Sequence, residues 1–416
     1  MRFVADFHIH SKFSRATSKD MEVESLAHWA KKKGISLLGT GDFTHPTYIA
    51  ELKSKLAPLG NGLFELKQGE KSVRFILTSE VCNIYTQDGK VRRIHTLIFA
   101  PSFEVVEAIQ SKLGHYGKLS SDGRPIFTFT AKELVKMILD ISGECLVIPA
   151  HAWTPWFSIF GANSGFDSID ECFGEMSSHI RAIETGLSSD PEMNWRLSKL
   201  DGITLISNSD AHSANRLGRE ANVFDCALSY GGVVEAIRNK DPKKLLFTIE
   251  FFPEEGKYHY DGHRDCGIIF SPSQTRSHQN LCPVCRKKLT IGVMHRVEEL
   301  ADRPEGFLPK KAIPSIHCIP LEEIIAEALG YRVGTKAVAT EYERLIERGG
   351  SEFKILIDAT PDELATFVPS RILDGIVGMR QGRLSIVPGH DGVYGKISLF
   401  AKKKEGEESK EQLKLF

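Results

Sequence analysis

The chain has 416 residues, of which 41% are hydrophobic and 26% charged, as in soluble globular proteins of two or three domains. Its formal net charge of −1 excludes a global basic surface, so any contact with nucleic acid must come from local patches. No apolar run has membrane-spanning length and the chain enters a strand at once, so we expect a cytoplasmic protein without membrane contact. Its eight cysteines are expected to be reduced thiols, some of them metal ligands.

Strand-like and helix-like segments alternate over residues 1–252, and nearly every strand-like segment ends in a histidine or an acid. These strand-end residues are Asp6, His8, His10, Asp42, His45, Glu80, His95, His151, Glu184, Asp190, Asp210 and His212. Helices are predicted at MEVESLAHWAKKKG, FEVVEAIQSKLG, AKELVKMILDISG, PEMNWRLSKLDG and GGVVEAIRNK. A TQDGK turn predicts a hairpin between the strands that carry Glu80 and His95. The alternation predicts a β/α barrel with its active site at the carboxyl ends of the strands.

Histidine and carboxylate side chains that converge at one end of a barrel indicate a metal site. Charged groups buried at strand ends are costly without partners, and a cluster of divalent cations supplies one partner for all of them. Mixed imidazole and carboxylate ligands suit zinc, manganese or iron better than calcium, and their number predicts more than one ion. The alternative, that each histidine merely satisfies a core hydrogen bond, weakens as the pattern repeats from strand to strand.

The order and strand-end placement of eight of these residues resemble the PHP (polymerase and histidinol phosphatase) superfamily. The eight candidate metal ligands are His8, His10, Asp42, Glu80, His95, His151, Asp210 and His212. The resemblance implies a distorted (β/α)7 barrel that hydrolyses phosphoesters with two or three divalent ions (Zn, Mn or Mg). It also implies that Glu80 bridges the metals, and it makes Glu80, Asp190 and Asp210 the candidate catalytic residues.

Two features depart from the superfamily pattern. Where many members carry an aspartate shortly after His-x-His, this chain has Arg15 and Ala16. Asp42 stands where members carry a histidine, so a third metal would depend on Asp42, His45 or Asp190. Asp190 is interpreted equally as a ligand or proton shuttle and as the N-cap of the helix that follows. An inactive barrel is disfavoured because the ligand set is nearly complete.

The segment of residues 253–305 changes character and carries two ligand pairs. The pairs are His263-x-x-Cys266 and Cys282-x-x-Cys285, with His259 and His278 as alternative fourth ligands. The spacing predicts a closed four-ligand site for one structural zinc, and a finger this small is expected to fold around its metal. The basic residues after the second pair are typical of a module that binds a nucleic-acid backbone.

Residues 306–400 are predicted to form a mostly helical C-terminal domain, preceded by a charged linker, HRVEELADRPEGFLP. Amphipathic helices are predicted at PLEEIIAEALG and TEYERLIERGG, and a hairpin at VPGHDGVYGKISLF. The glycines of that hairpin either form a tight turn or bring backbone amides close to phosphate. Residues 401–416 are predicted to be a disordered charged tail with an apolar end.

A PHP barrel followed by a zinc finger and a helical domain is similar to the endonuclease Q family. The segments GKYHYDGH, CPVC, HRVEELADRP and PGHDGVYGKI carry the resemblance, which spans almost the whole chain. It implies a nucleoid-associated DNA-repair endonuclease that nicks double- or single-stranded DNA 5′ of deaminated bases (uracil, hypoxanthine, xanthine) and abasic sites. Such an enzyme is expected to extrude the damaged nucleotide into a pocket. Trp153, Trp156 and Phe157, with Phe160, either line that pocket or belong to a loop core.

The last five residues resemble the pentapeptide with which bacterial proteins dock on the DNA-polymerase sliding clamp. The residues that carry this motif are Gln412, Leu413, Leu415 and Phe416. An apolar cluster after a charged tail is expected to meet a partner with a hydrophobic groove, unless it folds back on the helical domain.

Two other functions stay open from the sequence. A small-molecule phosphoesterase of the histidinol-phosphatase type would explain the barrel but leave the zinc finger and the C-terminal domain without a role. A non-catalytic DNA-binding scaffold would explain the finger but leave the barrel ligands without one.

Overall fold

The structure, a computed structural model, describes residues 1–400, so the clamp motif expected at residues 412–416 lies outside the described residues. None of the helices in this part of the chain is long and apolar enough to cross a membrane.

Strands β1–β17 are Arg2–Asp6, Leu37–Gly39, Leu56–Pro58, Phe64–Leu66, Arg74–Gln87, Lys90–Ala100, Ile126–Phe127, Leu146–Pro149, Ala182–Glu184, Thr204–Ile206, Ala221–Asp225, Leu245–Glu250, Asp261–His263, Ile268–Phe270, Ser315–His317, Ser385–Val387 and Lys396–Ser398. Helices α1–α13 are Val23–Lys33, Pro46–Lys55, Phe103–Gly114, Ala131–Ile141, Ile169–Phe173, Pro191–Asn194, Tyr230–Arg238, Pro272–Ser277, Val293–Leu300, Leu321–Leu329, Lys336–Gly349, Pro361–Ala365 and Ser370–Arg380.

A ring of strands forms the centre of the N-terminal region. Parallel pairing joins β1 to β2, β2 to β5 and β9 to β10, and the predicted antiparallel hairpin of β5 and β6 continues the ring to β8. Two backbone hydrogen bonds close the ring. The amide of Ala152, just after β8, donates to the carbonyl of Glu184 at the end of β9 (2.8 Å), and the amide of His10, after β1, donates to the carbonyl of Ala211, after β10 (3.0 Å). The predicted distorted seven-stranded barrel is therefore confirmed, and its distortion is the reversed strand β6.

The barrel sheet extends past β1 on one side. β11 pairs antiparallel with β1, and β12 pairs antiparallel with β11. β15 is then added parallel to β12, although it follows the zinc-binding segment in the chain. A strand from the expected C-terminal domain thus completes the sheet of the expected barrel domain.

The helices pack on the barrel through the apolar faces that the sequence spacing predicts. α1 buries Val23, Leu26 and Ala30 and ends at Gly34, whose φ of 90° suits a residue without a side chain. The N-cap residue of α4 is Thr130, whose side chain forms a capping box with Glu133, the third residue of the helix. These faces cover the strands and leave the carboxyl ends of the strands free for polar side chains.

Two segments differ from the prediction. The predicted helix PEMNWRLSKLDG contains only the four-residue α6 and a short turn, and the Asn194 amide bonds a backbone carbonyl one turn back (2.8 Å). The first six residues of the predicted linker belong to α9, a helix that buries Val293 and Val297, four residues apart. Arg296 of α9 donates to the carbonyl of Phe160 (3.1 Å), so this segment packs on the barrel loops.

The C-terminal helices form a small bundle that is tied to the barrel by a buried carboxylate. Glu352 accepts hydrogen bonds from Lys33 Nζ at the end of α1 (2.7 Å) and from the hydroxyl of Tyr342 in α11 (2.7 Å). It also accepts from the backbone amide of Leu321 at the start of α10 (3.0 Å). The mostly helical C-terminal region that the sequence predicts is present.

Candidate metal centre

Side chains from five elements of the barrel meet at the carboxyl ends of its parallel strands. They are His8 and His10 after β1, Glu80 in β5, His95 in β6, His151 after β8, and Asp210 and His212 after β10. Asp42, His151 and Asp210 have φ angles of 44°, 29° and 48°, a left-handed backbone that most residues avoid. Such strained residues are typical of functional sites, where the fold holds them in place.

The first centre consists of His8, His10 and Asp210, whose ligand atoms lie within 4.8 Å of one another. Asp210 Oδ1 lies 3.0 Å from His10 Nε2 and 3.6 Å from His8 Nε2. All three atoms are buried, and none of them has a hydrogen-bond partner among residues 1–400. Buried polar atoms are rarely left in this state, and a cation at their common focus would satisfy all of them. These residues therefore fit a metal ion.

Glu80, His95 and His151 form a second centre beside the first. Glu80 Oε1 lies 2.7 Å from His95 Nδ1 and 3.1 Å from His151 Nε2. Its other oxygen, Oε2, faces the first centre, 3.4 Å from His10 Nε2 and 3.7 Å from His8 Nε2. One carboxylate thus reaches both centres, which supports the bridging role expected for Glu80.

The charges of the two centres depend on one another. Burial raises the pKa of Glu80, but His95, Arg124 and His8 outweigh burial and hold that pKa well below its usual range. Burial lowers the pKa of His8, yet the carboxylate of Glu184 and two further acids raise it well above its usual value. Burial lowers the pKa of His95 to about 4 despite the neighbouring Glu80. Glu80 is therefore ionised and His95 neutral at pH 7, the states in which both bind a cation, whereas His8 carries a proton that a bound cation would displace.

Asp42 lies behind His10 and not among the converging ligand atoms. Its Oδ1 lies 3.1 Å from His10 Nδ1, and its Oδ2 accepts hydrogen bonds from the amide and hydroxyl of Ser11 (both 2.6 Å) and from the Ser14 hydroxyl (2.8 Å). The protein thus engages both oxygens. The positive φ of Asp42, which follows Gly41 with φ 65°, turns the side chain into this position. We therefore assign Asp42 to orienting His10, in place of the metal ligand expected from the sequence.

The variant Asp42→Asn is expected to weaken Mn²⁺ binding at the barrel by about 10–100-fold, because an outer-shell carboxylate orients the ligand and raises its basicity. Isothermal titration calorimetry would measure the affinity, with Asp140→Asn on the exposed face of α4 as the matched control. Equal Mn²⁺ affinity in Asp42→Asn and the unaltered protein would show that Asp42 does not support His10.

Glu184 supports His8 in the same way, and sequence reasoning did not assign it to the site. Its oxygens lie 3.0 and 3.1 Å from His8 Nδ1. They also accept hydrogen bonds from the amide of His151 (2.8 Å) and from Asn208 Nδ2 (2.8 Å). Its place as the last residue of β9 is the signal that would have found it.

Arg124 is a second site residue that sequence reasoning missed. Its guanidinium Nη1 donates to Glu80 Oε2 (2.9 Å) from a loop that belongs to none of the ligand-bearing strands. The neighbouring Gly123 packs so closely on Ser14 and Asp42 that a Cβ there would collide with both side chains. Because the arginine has no strand-end position or motif spacing, only the folded loop reveals it.

His212 and His45, two further candidates, differ in their distance from the centres. The ring centroid of His212 lies 4.5 Å from that of His10, and its Nδ1 lies 2.8 Å from the backbone carbonyl of Asp210. The His212 side chain is about one-third exposed, so it stands at the rim of the first centre. His45 caps α2 and stacks on Phe13 at 4.3 Å.

Asp190 belongs to a different group of side chains. Its Oδ1 accepts a hydrogen bond from the amide of Met193 (2.9 Å), and its Oδ2 lies 3.3 Å from His317 Nε2. Asp190, Glu192 and His317 place their ligand atoms within 4.8 Å of one another, apart from the residues of the first two centres. The structure confirms Asp190 as the N-cap of α6, and the catalytic role expected from the sequence stays a prediction.

Glu250, a further buried acid, lies at the end of β12. Its Oε2 accepts a hydrogen bond from the Thr185 hydroxyl (3.2 Å), and its Oε1 accepts from the hydroxyls of Ser207 and Thr248. Burial raises the pKa of Glu250 to about 7, although the two hydroxyls on Oε1 lower it. The folded protein thus favours the protonated acid.

The variant Glu250→Gln is expected to gain stability relative to the unaltered protein as pH rises. In the unfolded chain this acid ionises near 4.5 and in the folded protein at about 7, so the unaltered protein loses stability between these pH values and no further above them. Urea unfolding at pH 5 and pH 8 would measure the difference, with the exposed Glu235→Gln as control. A difference that stays constant between the two pH values would contradict the raised pKa.

The aromatic residues that follow β8 divide between core and surface. Trp153 is 1% exposed and its indole donates to Asn194 Oδ1 (2.8 Å), so it belongs to the loop core and not to the expected substrate pocket. The ring of Phe157 lies 4.8 Å from that of His95, and Trp156 is 39% exposed. Trp156 and Phe157 thus remain the candidates for substrate contact.

The two ligand pairs of the zinc-binding segment lie together. The ligand atoms of one histidine and three cysteines lie within 4.8 Å of one another: His263, Cys266, Cys282 and Cys285. The β13–β14 hairpin carries the first pair, and a tight turn, in which the Cys282 amide bonds the carbonyl of Lys287 (2.8 Å), carries the second. His263, and neither His259 nor His278, completes the group. One nitrogen and three sulfur ligands fit zinc.

Two natural relatives match large parts of the chain. The protein MJ0043 of Methanocaldococcus jannaschii is 34% identical over 265 residues, which are 61% of this chain and 32% of MJ0043. The chain thus spans about a third of the length of that relative. The protein YqxK of Bacillus subtilis is 30% identical over 412 residues, covering 95% of this chain and 99% of YqxK. A family model of the MJ0043 C-terminal domain matches residues 320–383.

A barrel with ligand centres of this kind is typical of metal-dependent hydrolases. Two solved structures identify the family within that class. The crystal structure of the lesion-specific endonuclease PfuEndoQ from Pyrococcus furiosus is 34% identical with a TM-score of 0.86, covering 97% of this chain and 98% of that one. Endonuclease Q in complex with a 27-mer duplex substrate with an abasic lesion at the active site is 34% identical with a TM-score of 0.84, covering 98% and 100%. The chain belongs to the endonuclease Q family, as its sequence predicts.

Proposed function

We propose that this protein is a metal-dependent DNA-repair endonuclease that nicks DNA 5′ of deaminated bases (uracil, hypoxanthine, xanthine) and of abasic sites. The observation that carries the proposal is the pair of ligand centres joined by Glu80. The likeness to an endonuclease Q with an abasic duplex supports lesion-containing DNA as the substrate. The proposed cofactors are two or three divalent ions (Zn, Mn or Mg) in the barrel and one structural zinc in the finger.

When bound, divalent ions in these centres supply a hydroxide near neutral pH and neutralise the oxygens of the phosphodiester. The residues of the chain hold the geometry that this chemistry needs. Glu80 sets the separation of the two centres, while Asp42 and Glu184 fix the rings of His10 and His8. The guanidinium of Arg124 adds a fixed, permanently charged donor at the same place, which suits a phosphate oxygen.

The variant Arg124→Met is expected to lower kcat for nicking by roughly 10²-fold, because a preorganised donor to the transition state is lost. Metal content should stay unchanged, since the arginine is not a ligand. Arg124→Lys is expected to recover part of the rate, and Arg348→Met, at an exposed arginine of α11 in the C-terminal bundle, serves as the matched control. Single-turnover kinetics on an abasic duplex would measure the rates. Full activity of Arg124→Met would remove the arginine from the mechanism.

The function itself is tested with labelled duplexes that contain one uracil, one hypoxanthine or one abasic site, together with Mn²⁺ or Mg²⁺. A nick 5′ of each lesion is expected, and the undamaged duplex of the same sequence should stay intact. Binding without cutting would support a non-catalytic scaffold. Hydrolysis of a small phosphomonoester without cutting of any duplex would support the histidinol-phosphatase type of enzyme. Either result would contradict the proposal.

The DNA-polymerase sliding clamp is a proposed partner through Gln412, Leu413, Leu415 and Phe416. The support is the sequence motif alone, because these residues lie outside the described part of the chain. Docking on the clamp would hold the enzyme close to DNA and raise its effective concentration there. Surface plasmon resonance against the clamp of the source organism, with and without the last five residues, would test it. Equal binding by both forms, or binding by neither, would contradict the motif.

A further inference from the structure

The glycine-rich segment of residues 388–395 is a tight turn fixed against the start of the zinc-binding segment. Its amides at Gly389, Gly392 and Gly395 donate to backbone carbonyls of residues 254–257 at 2.7–3.0 Å. A Cβ on Gly395 would collide with the carbonyl of Glu254, so the close approach of the two backbones requires glycine. Because these amides are engaged within the protein, the turn interpretation holds and the phosphate-binding one does not.

A side chain of the same turn adds a second attachment to the finger. Asp391 accepts hydrogen bonds from the amide of Arg264 (2.8 Å) and from the hydroxyl of Thr290 (2.6 Å). Tyr394 therefore sits on a firmly held backbone, yet its side chain is 70% exposed. A large aromatic ring presented in this way contributes little to the core, which suggests that it contacts something outside the chain.

Two aromatic side chains from other parts of the chain lie near the turn that presents Tyr394. Trp156 of the barrel loop and Tyr258 of the zinc-binding segment meet edge to face at 5.5 Å. A Cβ built on Gly392 would lie 3.8 Å from the Tyr258 hydroxyl, so this tyrosine reaches the glycine-rich turn that presents Tyr394. We call Trp156, Tyr258 and Tyr394 the aromatic platform.

Cations lie beside these rings. Lys257 Nζ lies 4.7 Å from the ring centroid of Tyr394, and the exposed Arg264 borders Gly392, with Nη1 3.6 Å from a Cβ built there. Nearer to the metal centres, the guanidinium of Arg93 lies 5.6 Å from the ring of Phe157, the neighbour of Trp156. The ring of Phe157 contacts His95 of the second centre, so the series runs from the metal centres to the finger.

We propose that the aromatic platform stacks unpaired bases of a DNA strand that leads away from the metal centres. This inference rests on the proposed function for its choice of DNA as the occupant. Rings interleaved with cations are the means by which proteins hold single strands, because every base has a face that can stack and the cations meet the phosphates. The chain has a net charge of −1, so the local cations are a feature of this surface and not of the whole protein.

The test measures binding of a fluorescent oligothymidylate, a single strand without any lesion. Tyr394→Ala and Tyr258→Ala are each expected to weaken binding roughly 5- to 100-fold, as is usual for the loss of one stacking ring. Tyr394→Phe keeps the ring and should bind normally. Tyr331→Ala, which removes a tyrosine that is 57% exposed on the C-terminal bundle, is the matched control.

Tryptophan fluorescence gives a second readout. The chain has four tryptophans, and of these Trp156 is the exposed one, whereas Trp153 and Trp195 are buried and Trp29 is partly buried. Stacking of a base on Trp156 is expected to quench the emission, and Trp156→Phe should remove most of that quenching. Melting temperatures equal to that of the unaltered protein would show that each variant is folded.

Normal oligothymidylate binding by Tyr394→Ala and Tyr258→Ala would overturn the platform, as would an equal loss in Tyr331→Ala or unquenched tryptophan emission. These outcomes are distinguishable from failure of the proposed function, because the oligothymidylate needs neither a lesion nor a cut. A protein that binds the strand through the platform but never nicks a damaged duplex would refute the nuclease and leave the platform standing.

Discussion

Glu80→Gln is expected to lower the nicking rate by about 10³-fold or more and to remove metal from both barrel centres together. The two oxygens of Glu80 face different centres, one 2.7 Å from His95 and the other 3.4 Å from His10. Glutamine has the same shape but no charge, and it offers one oxygen in place of two. A single electrostatic contact to a transition state is commonly worth 10²–10³ in rate, and here the contact also holds the metals.

Single-turnover nicking of an abasic duplex and metal content by mass spectrometry would measure the two effects. Glu107→Gln, an exposed change on α3, is the matched control. Loss of one metal with retention of the other would show that Glu80 serves a single centre. An unchanged rate would show that the reaction does not take place at these residues.

The sequence predicts much of this site because the fold obeys a simple rule. The carboxyl ends of parallel strands meet on one face, so a histidine or acid at each strand end predicts a shared cluster. His8, His10 and Asp210 follow that rule and lie together. Glu80 lies beside them, although it is in the middle of the 14-residue strand β5 and not at its end. The family resemblance rested on the same residues and on short segments around the finger. Such segments can be recognised in the sequence without knowledge of the fold.

Other parts of the site depend on information that a sequence does not display. The positive φ of Asp42 turns its carboxylate behind His10, and the sign of a backbone angle is not visible in a strand-end pattern. Arg124 arrives from a loop whose path is set by the close packing of Gly123. Trp153 and Trp156 lie three residues apart, and only packing decides that the first is buried and the second exposed.

Cys282→Ser is expected to remove one zinc per chain and to unfold the finger locally, while the barrel stays folded. Cys282 is fully buried, and its ligand atom lies within 4.8 Å of those of the other three ligands. A structural zinc contributes about 10–16 kcal/mol of binding free energy to such small modules, and a serine hydroxyl cannot replace the thiolate. Zinc stoichiometry and limited proteolysis of the segment around Cys282 would measure both effects.

Binding of a damaged duplex is expected to weaken by about tenfold in Cys282→Ser. The zinc-binding segment carries Lys257, Arg264 and one ring of the aromatic platform, Tyr258, and a stacking ring commonly contributes about 1–3 kcal/mol to binding. Cys226→Ser is the matched control, because Cys226 is a partly exposed thiol at the end of β11, outside the finger. Unchanged zinc stoichiometry in Cys282→Ser would contradict the assignment of the four ligands.

The addition of β15 to the barrel sheet limits how this protein can be divided or recombined. The amide of Thr248 in β12 donates to the carbonyl of Pro314 (3.0 Å), and that of Cys318 donates to the carbonyl of Glu250 (2.9 Å). A fragment that stops at residue 305 would lose these bonds and leave β12 as an open sheet edge, which favours aggregation. The finger is therefore an insertion within the path of one continuous sheet, and simple truncation before β15 would expose the edge of the extension that this sheet adds to the barrel.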